Sequence, residues 1–455
     1  MTTSTASLSK TSGAFVFGSP VSVGHVRPLM PLAKRLVQRG FTVVWAISGD
    51  DNEPASAWHK PLTELGVRFI NVDDHAPFPR GHSEEFLSGG MLAGLYRRVA
   101  GRAVDVAAAA ATAIRAAVGD QPIVGGVYDY FALWAYVTMR RLGIDDIDAV
   151  ISAFPSVLER MPAIYIDDPI YQRELAALRA AGFGRFDQLP RVGMLPHDPT
   201  VRVLSFSSPR LCRDAPEYVQ LLGVQRDALP HKEELATASA ADQALARRLQ
   251  DARTGGARVV LLSMGTMVPR MAKRAGAAHV ASLKQLYSTL AASALREGAI
   301  VVASTVDSSA TELGVDEAAL GPAARDRVIA MPFVPQPLLF AHNLVDVMLM
   351  HGGANTFHEA IVSAIPLLIC PGFGDQESVA YAAAKLGVGV IVESITYPTL
   401  EGALRLEQVA REVLPAMLAP GVSHWKATAA ELAAQVITEN GLDAAERLVL
   451  SHRDR

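Results

Sequence analysis

The sequence predicts an α/β protein with two doubly wound halves, each a parallel sheet covered by helices. Short apolar runs, glycine-containing turns and amphipathic helices alternate in both halves of the 455 residues. A polar, alanine-rich stretch at about residues 225–257 separates the two series, and the strand pattern restarts after it. The length suits two domains of roughly 200 residues each. The predicted divisions are residues 1–228 (first domain), 229–257 (linker), 258–421 (second domain) and 422–455 (C-terminal helix).

Ten apolar runs predict the strands of the two sheets. The first half begins with a strand, a glycine-containing loop and a helix from about Pro28 to Arg39. No GxGxxG follows that strand, so the dinucleotide fingerprint of dehydrogenases is missing. The predicted strands are residues 14–17, 42–48, 124–127 and 149–153 in the first half, and 258–263, 299–304, 327–331, 345–350, 367–370 and 388–392 in the second.

Composition excludes several classes of function. Half of the residues are hydrophobic and 19% are charged, and no apolar run has transmembrane length, so we expect a soluble protein without integral membrane association. The net charge of −4 argues against nucleic acid as a partner. Cys212 and Cys370 lie far apart in the sequence, which favours reduced core thiols. The first dozen residues lack an apolar signal core, so we expect a cytoplasmic protein.

A glycine-rich turn after the strand at residues 345–350 predicts an anion site. His351 begins the turn and Gly353 lets the backbone approach a ligand closely. The helix that follows begins near Asn355 and Thr356, where free N–H groups and the helix dipole attract phosphate. Glu359 lies one turn further on, within reach of ribose hydroxyls.

Two neighbouring loops supply groups suited to a sugar and a base. Asp375 and Gln376 follow the strand at residues 367–370, and a carboxylate beside an amide can bind a diol. Phe333 and Gln336 follow the strand at residues 327–331 and offer an aromatic face with an amide nearby. Thr266, in a glycine-containing turn after the first strand of this half, is a weaker candidate for phosphate contact.

A histidine and an aspartate in the first half form a candidate catalytic pair. His25 follows a glycine after the first strand, where an imidazole can act as a general base. Asp129, at the end of the strand near residue 127, can bond the far ring nitrogen and fix the tautomer. The alternatives are a helix-start histidine bonded to the backbone and an aspartate that caps a helix.

The stretch from Phe333 to Gln376 resembles the donor-binding motif of family 1 UDP-dependent glycosyltransferases, and residues 24–45 resemble the opening of these enzymes. The resemblance implies two facing Rossmann-like domains with a cleft between them, the GT-B architecture, and a C-terminal helix that packs back on the first domain. It implies that Phe333 stacks on uracil, with Gln336 beside the base. The diphosphate would contact His351, Asn355 and Thr356, the ribose Glu359, and the sugar Asp375 and Gln376.

The resemblance also implies a reaction. An inverting enzyme would move a sugar from a UDP-sugar, the co-substrate, to a hydroxyl of a small natural-product-like acceptor, without a metal or other cofactor. Apolar side chains in residues 86–96 and 154–171 are candidates for the acceptor pocket, although such residues are more often simple core. We expect a monomer or weak homodimer. A nucleotide-sugar epimerase of similar fold and a non-catalytic nucleotide-sugar-binding helper protein remain the alternatives.

Overall fold

The structure is a computed structural model, and it describes most of the chain. The described residues are 13–49, 54–75, 103–160, 176, 179–180, 182, 198–225, 235, 238–306, 308–309, 311–315, 321, 324, 326–394 and 400–451. Two compact units divide the chain. Unit 1 comprises residues 1–209, 213–225 and 440–455, and unit 2 comprises residues 210–212 and 226–439.

Unit 1 contains a seven-stranded parallel sheet within the described residues. The strand order is β3-β2-β1-β4-β5-β6-β7. Successive strands are added on one side of β1 up to β3 and on its other side from β4 onward, so the topological switch point lies between β1 and β4. Phe15 and Phe17 pack on one face while Ala14 and Val16 pack on the other, because successive strand residues point to opposite sides. Its strands are β1 (Ala14–Pro20), β2 (Thr42–Ser48), β3 (Arg68–Asn71), β4 (Ile123–Asp129), β5 (Ile147–Ile151), β6 (Arg202–Ser205) and β7 (Val219–Leu221).

Helices lie on both faces of this sheet, as burial of both sets of strand side chains requires. The predicted helix at residues 28–39 is divided into a short helix, a 3₁₀ turn at Arg27–Leu29 and a second helix. Further 3₁₀ turns lie at Ala55–Trp58 and Val72–Asp74. Among the described residues, the helices that precede unit 2 are α1 (Val23–Val26), α2 (Met30–Gln38), α3 (His59–Glu64), α4 (Ala103–Val118), α5 (Leu133–Arg141) and α6 (Val157–Arg160).

Unit 2 contains a six-stranded parallel sheet in the part of the chain that is described, with the order β10-β9-β8-β11-β12-β13. Its central strands are buried on both faces, as their continuous apolar sequences predict. The strands are β8 (Val259–Ser263), β9 (Ile300–Ser304), β10 (Val328–Met331), β11 (Val347–Met350), β12 (Leu367–Ile369) and β13 (Gly389–Ile391). Both sheets have the predicted fold class.

The first of the remaining helices lies inside the predicted linker at residues 229–257. Residues 240–254 form a capped helix, since Ser239 accepts a hydrogen bond from Asp242 N–H and Leu245 and Leu249 are buried. The helices are α7 (Ala240–Thr254), α8 (Met267–Ala275), α9 (Ala277–Arg296), α10 (Gln336–Ala341), α11 (Ala354–Val362), α12 (Gln376–Lys385), α13 (Leu406–Gln408), α14 (Leu414–Leu418), α15 (His424–Val436) and α16 (Gly441–Leu450), with a π-helical turn at Val409–Val413.

The predicted C-terminal helix at residues 422–455 consists of two helices. Ser423 caps α15 and Asn440 caps α16, and each cap begins a separate helix. Compactness assigns α15 to unit 2, where it packs on α11, and α16 to unit 1, where it packs on α2. The chain changes from unit 2 to unit 1 at Asn440, the residue that caps α16.

Ion pairs fix α16 within unit 1. Arg35 on α2 pairs with Asp443 and Glu446, and Arg39 donates to Glu446 at 2.6 Å. Arg202 on β6 donates at 2.6 Å to the carbonyl of Leu448, near the end of α16, where the dipole favours a cation.

Two further findings concern classes of site. Across the residues with described positions, no helix is both long enough and apolar enough to span a membrane. The same residues contain no group of three or more His, Cys, Asp or Glu side chains arranged to hold a metal ion.

Candidate active site

His25 lies at the carboxyl edge of the first sheet. It belongs to the short helix α1, just beyond the end of β1, and its side chain is 23% exposed. Its backbone N–H donates to the carbonyl of Ser22 at 2.8 Å, which is the backbone bond of the structural alternative. That bond uses the main chain alone, so the imidazole can make other contacts.

The ring of His25 contacts the carboxylate of Asp129. Nδ1 lies 3.1 Å from both carboxylate oxygens, and the Asp129 side chain is 0% exposed. A carboxylate is an acceptor, so it favours the tautomer whose proton is on Nδ1 and whose lone pair is on Nε2. Nε2 can therefore accept a proton from a hydroxyl.

Asp129 also stabilises the turn that follows β4. Its Oδ1 accepts a hydrogen bond from the N–H of Phe131 at 3.0 Å. Helix α5 begins at Leu133, and no side chain caps its first turn. Asp129 therefore accepts a hydrogen bond within the turn, from the residue two positions ahead, rather than capping the helix as in the alternative interpretation. This hydrogen bond fixes the position of the carboxylate that faces His25.

Two further side chains contact the ring of His25. Oγ of Ser152 lies 2.7 Å from Nδ1, and the ring of Phe131 packs edge-on with centroids 5.4 Å apart. Ser152 was not among the predicted site residues, because the strand predicted at residues 149–153 included it. In the structure β5 ends at Ile151, so Ser152 is the first residue beyond the strand.

His351 follows β11 directly and forms the centre of the second candidate site. The residue is partly exposed, yet its Nδ1 is buried without a hydrogen-bond partner. Burial lowers the pKa of His351 to about 4, so the ring is neutral near pH 7. Because a proton on Nδ1 would lack an acceptor, the ring proton is more favourably carried by Nε2.

Two glycines lie against the His351 ring. A Cβ on Gly265 would lie 2.6 Å from Cε1, and a Cβ on Gly353 would lie 2.6 Å from Nε2. Gly265 has a φ of +65°, a conformation that residues with a Cβ rarely adopt. The loop after β8 and the start of α11 can both approach the imidazole only because these positions lack side chains.

The loop that carries Gly265 is held by buried polar contacts. Tyr287 on α9 accepts from the N–H of Met264 and donates to the carbonyl of Ser304, both at 3.1 Å. Gln336, the first residue of α10, donates from Nε2 to Oγ of Ser263 at 2.6 Å. The predicted nucleobase amide is thereby tied to the end of β8, one loop away from Thr266, which precedes α8.

Helix α11 presents the remaining diphosphate and ribose candidates. Gly353 is the residue before the helix, and it has no side chain that could accept a hydrogen bond from the N–H groups of the first turn. Asn355, Thr356 and Glu359 are partly exposed. Asn355 and Glu359 are four residues apart and therefore lie on the same face of the helix.

Gln376 is placed differently from the prediction of a sugar-binding amide with both ends available. The residue is 4% exposed, and its Oε1 accepts hydrogen bonds from Gly372 N–H at 2.8 Å and Phe373 N–H at 3.1 Å. The carbonyl oxygen organises the loop after β12, and only the amide nitrogen can be offered to a sugar. Asp375, next to it, is partly exposed.

Phe333 is exposed over 66% of its surface, although it is a large apolar residue. It lies in the loop between β10 and α10, near the amide of Gln336 in the sequence. An uncovered aromatic face of this kind is suited to stacking on a planar ligand.

The predicted residues thus form two groups, one in each unit. His25 and Asp129 are in contact in unit 1. The donor candidates lie in unit 2, in the loops after β8, β10, β11 and β12 and in the helices that follow the last three of these loops. The acceptor candidates at residues 86–96 and 161–171 lie outside the described residues. Phe154 of the second segment is buried core.

Part of the sequence is similar to known UDP-glycosyltransferases. Residues 227–412 match the family model described as UDP-glucoronosyl and UDP-glucosyl transferase. A UDP-glycosyltransferase CGT of Oryza sativa subsp. indica is 29% identical over 162 residues, which cover 35% of this chain and 34% of that protein. UDP-glycosyltransferase 708A6 of Zea mays is 30% identical over 165 residues, with the same coverage. The matched segment spans about a third of the length of these relatives.

Solved structures resemble the chain over nearly its whole length. The glycotransferase of kitacinnamycin has a TM-score of 0.64 at 19% identity, covering 97% of this chain and 99% of that one. The calicheamicin glycosyltransferase CalG4 has 0.63 at 15%, covering 97% and 98%. UGT71G1 of Medicago truncatula, complexed with UDP-glucose, has 0.68 at 13%, covering 97% and 99%. At these identities the likeness shows the fold, two Rossmann-like units of the GT-B class.

Proposed function

We propose that the protein is an inverting glycosyltransferase, because residues 227–412 match the family model described as UDP-glucoronosyl and UDP-glucosyl transferase. It moves a sugar from a UDP-sugar to a hydroxyl of a small, largely apolar acceptor and releases UDP and a β-glycoside. The observation that carries the proposal is the contact between Nδ1 of His25 and the buried carboxylate of Asp129 at 3.1 Å, which leaves Nε2 as a base.

The reaction is a single displacement. Nε2 of His25 takes the proton of the acceptor hydroxyl while its oxygen attacks C1 of the donor, on the face opposite UDP. The bond from C1 to the phosphate oxygen breaks, and an α-linked sugar becomes β-linked. The imidazolium formed at His25 is stabilised by the carboxylate of Asp129.

Negative charge builds on the departing diphosphate, and neutral donors offset it. The start of α11, with Gly353, Asn355 and Thr356, presents N–H groups and side chains to that charge. His351 adds an uncharged Nε2–H donor, since its pKa is about 4. Thr266, in the loop after β8, is a further candidate. These groups suit a metal-independent reaction, so turnover should persist in EDTA.

The remaining donor contacts define the co-substrate. Phe333 stacks on uracil beside Gln336, and Glu359 binds the ribose hydroxyls, which favours UDP over dTDP. Asp375 and the amide nitrogen of Gln376 bind the sugar. Rates with UDP-glucose and dTDP-glucose compare the two nucleotides.

The acceptor is proposed to be a natural product of secondary metabolism. The support is that the structurally similar proteins include the glycotransferase of kitacinnamycin and the calicheamicin glycosyltransferase CalG4. A mixed library of hydroxylated aromatic and polyketide-like compounds, incubated with UDP-glucose and analysed by mass spectrometry, identifies the acceptor. The anomeric proton coupling of the product reports inversion.

The decisive variant is His25→Ala. We expect turnover to fall by at least about 100-fold, the usual contribution of a general base, while UDP binding is unchanged. Asp129→Asn should lose nearly as much, because an amide can hold the wrong tautomer. Transfer by His25→Ala at the wild-type rate would refute the assignment. Consumption of UDP-sugar without an acceptor indicates an epimerase, and binding without turnover indicates a helper protein.

A further inference from the structure

We propose that Ser152 is a positioning residue of this reaction: its hydroxyl oxygen shares the Nδ1–H of His25 with Asp129 and fixes the direction of Nε2. The inference rests on the proposed function, since it assigns Ser152 a role through the base. The observation behind it is a contact of 2.7 Å between Oγ and Nδ1, shorter than the 3.1 Å from Nδ1 to either carboxylate oxygen.

The contact follows from the sheet. Strands β1, β4 and β5 are adjacent and parallel, so their carboxyl ends open on the same edge. Asp129 is opposite Val150, and the N–H of Tyr130 donates to the carbonyl of Val150 at 2.9 Å. Ser152 lies two residues beyond Val150. Three neighbouring strands thus deliver the base, its carboxylate and this hydroxyl to one place.

The count of protons decides what Ser152 does. A neutral imidazole carries one ring proton, a carboxylate can only accept, and a hydroxyl can accept or donate. If Ser152 donated to Nδ1, the lone pair of that nitrogen would also face the carboxylate of Asp129 at 3.1 Å, which is repulsive. The proton is therefore on Nδ1, Ser152 accepts a share of it, and the hydroxyl hydrogen points elsewhere.

Two acceptors constrain the ring more than one. Asp129 alone would let the imidazole pivot about its Nδ1 bond, whereas Ser152 adds an acceptor from another strand. The ring of Phe131 packs against His25 edge-on and limits tilt. When Nε2 takes the acceptor proton, both bonds at Nδ1 become charge-assisted and strengthen. Ser152 thereby acts in the transition state more than in the ground state.

The test is the kinetics of Ser152→Ala and Ser152→Thr. We expect Ser152→Ala to lower kcat roughly three- to tenfold, the effect of one hydrogen bond, with an unchanged KM for the donor and an unchanged Tm. Ser152→Thr keeps the hydroxyl and should recover most of kcat. A wild-type kcat in Ser152→Ala, or a threonine variant as slow as the alanine variant at the same Tm, overturns the proposal.

A spectroscopic readout separates this inference from the proposed function. With ¹⁵N-labelled histidine, the Nδ1–H proton of His25 should resonate downfield in the wild type and move upfield in Ser152→Ala. An unmoved resonance overturns the shared hydrogen bond. If the wild type transfers no sugar from any UDP-sugar, the proposed function is wrong. An upfield move of the Nδ1–H resonance in Ser152→Ala would then still show the shared hydrogen bond, but its catalytic role would be excluded.

Discussion

The substitution Gly265→Ala tests whether the His351 ring is part of the donor site. Gly265 has a φ of +65°, and a Cβ there would lie 2.6 Å from Cε1 and 2.9 Å from Nε2 of His351. Ordinary contacts begin at 3.4 Å, so the ring must retreat by about 0.8 Å. The ring cannot easily retreat toward Gly353, because that backbone lies against it as well.

Two separate costs follow from this geometry. The left-handed backbone costs an alanine roughly 1–2 kcal/mol, which for a unit of this size lowers Tm by about 2–8 °C. Displacement of the imidazole removes a hydrogen bond to a charged phosphate, worth roughly 1.5–3 kcal/mol, so Kd for UDP should rise about 10- to 150-fold. The first cost concerns the backbone and the second the ligand.

Gly256→Ala is the matched control. Gly256 also has a positive φ, +86°, but a Cβ there meets no atom within 4 Å. Both variants carry the backbone cost, so Gly265→Ala should lose at least as much stability as Gly256→Ala in thermal unfolding, and only Gly265→Ala should lose affinity for UDP in calorimetry. Wild-type affinity in Gly265→Ala, or an equal loss in Gly256→Ala, would refute the reasoning.

Three further predictions concern binding, pH and folding. Phe333→Ala should raise Kd for UDP about 5- to 150-fold, because stacking on the base is lost. Tm should not change, since the side chain is 66% exposed. Calorimetry with UDP and with pyrophosphate, which has no base, checks this prediction. The pKa values of His351 and His358 are lowered by burial to about 4, so the unfolded chain takes up protons first as pH falls from 6.5. Their contribution to the free energy of unfolding is fully present above pH 6.5 and is lost toward pH 4, by up to about 3 kcal/mol for each ring and by less where the ring reaches solvent. Urea unfolding between pH 6.5 and pH 4 should show this loss. Replacing both histidines should make the free energy of unfolding less dependent on pH in that range. Arg202→Ala should lower the free energy of unfolding in urea by roughly 3–5 kcal/mol, because the buried carboxylate of Asp148, 0% exposed, would lose its bidentate partner at 2.7 and 2.9 Å. The double variant Asp148→Asn with Arg202→Ala should lose less than Arg202→Ala alone if the unpaired carboxylate is the cause.

The fold class was predictable because it depends on local patterns. Residues 43–47 are continuously apolar, as a strand buried on both faces must be, and the structure gives the predicted strand bounds of 42–48. Boundaries were less predictable where capping decides them. Ser239 begins a helix inside the predicted linker, and Asn440 divides the C-terminal helix, because a single side-chain hydrogen bond to the backbone determines each start.

The candidate site was predictable in its residue types and less so in their contacts. His25 and Asp129 follow strands, so a shared edge was expected, and the 3.1 Å contact agrees with that expectation while their catalytic roles stay a prediction. Gln376 was predicted as a sugar ligand, but its carbonyl binds the loop after β12. A side chain of that length can reach a ligand or its own backbone, and the sequence does not decide between them.

The sequence by itself determined the fold class and ten of the thirteen strands of the described residues, because hydrophobic period and turn residues act over a few positions. It did not predict the short strands β3, β6 and β7. Only the tertiary structure decided that β1, β4 and β5 are neighbours, and therefore that Ser152 contacts His25, 127 positions away. It likewise decided that the His351 ring is packed against Gly265. Strand order arises from packing of the whole unit, and no local pattern records it.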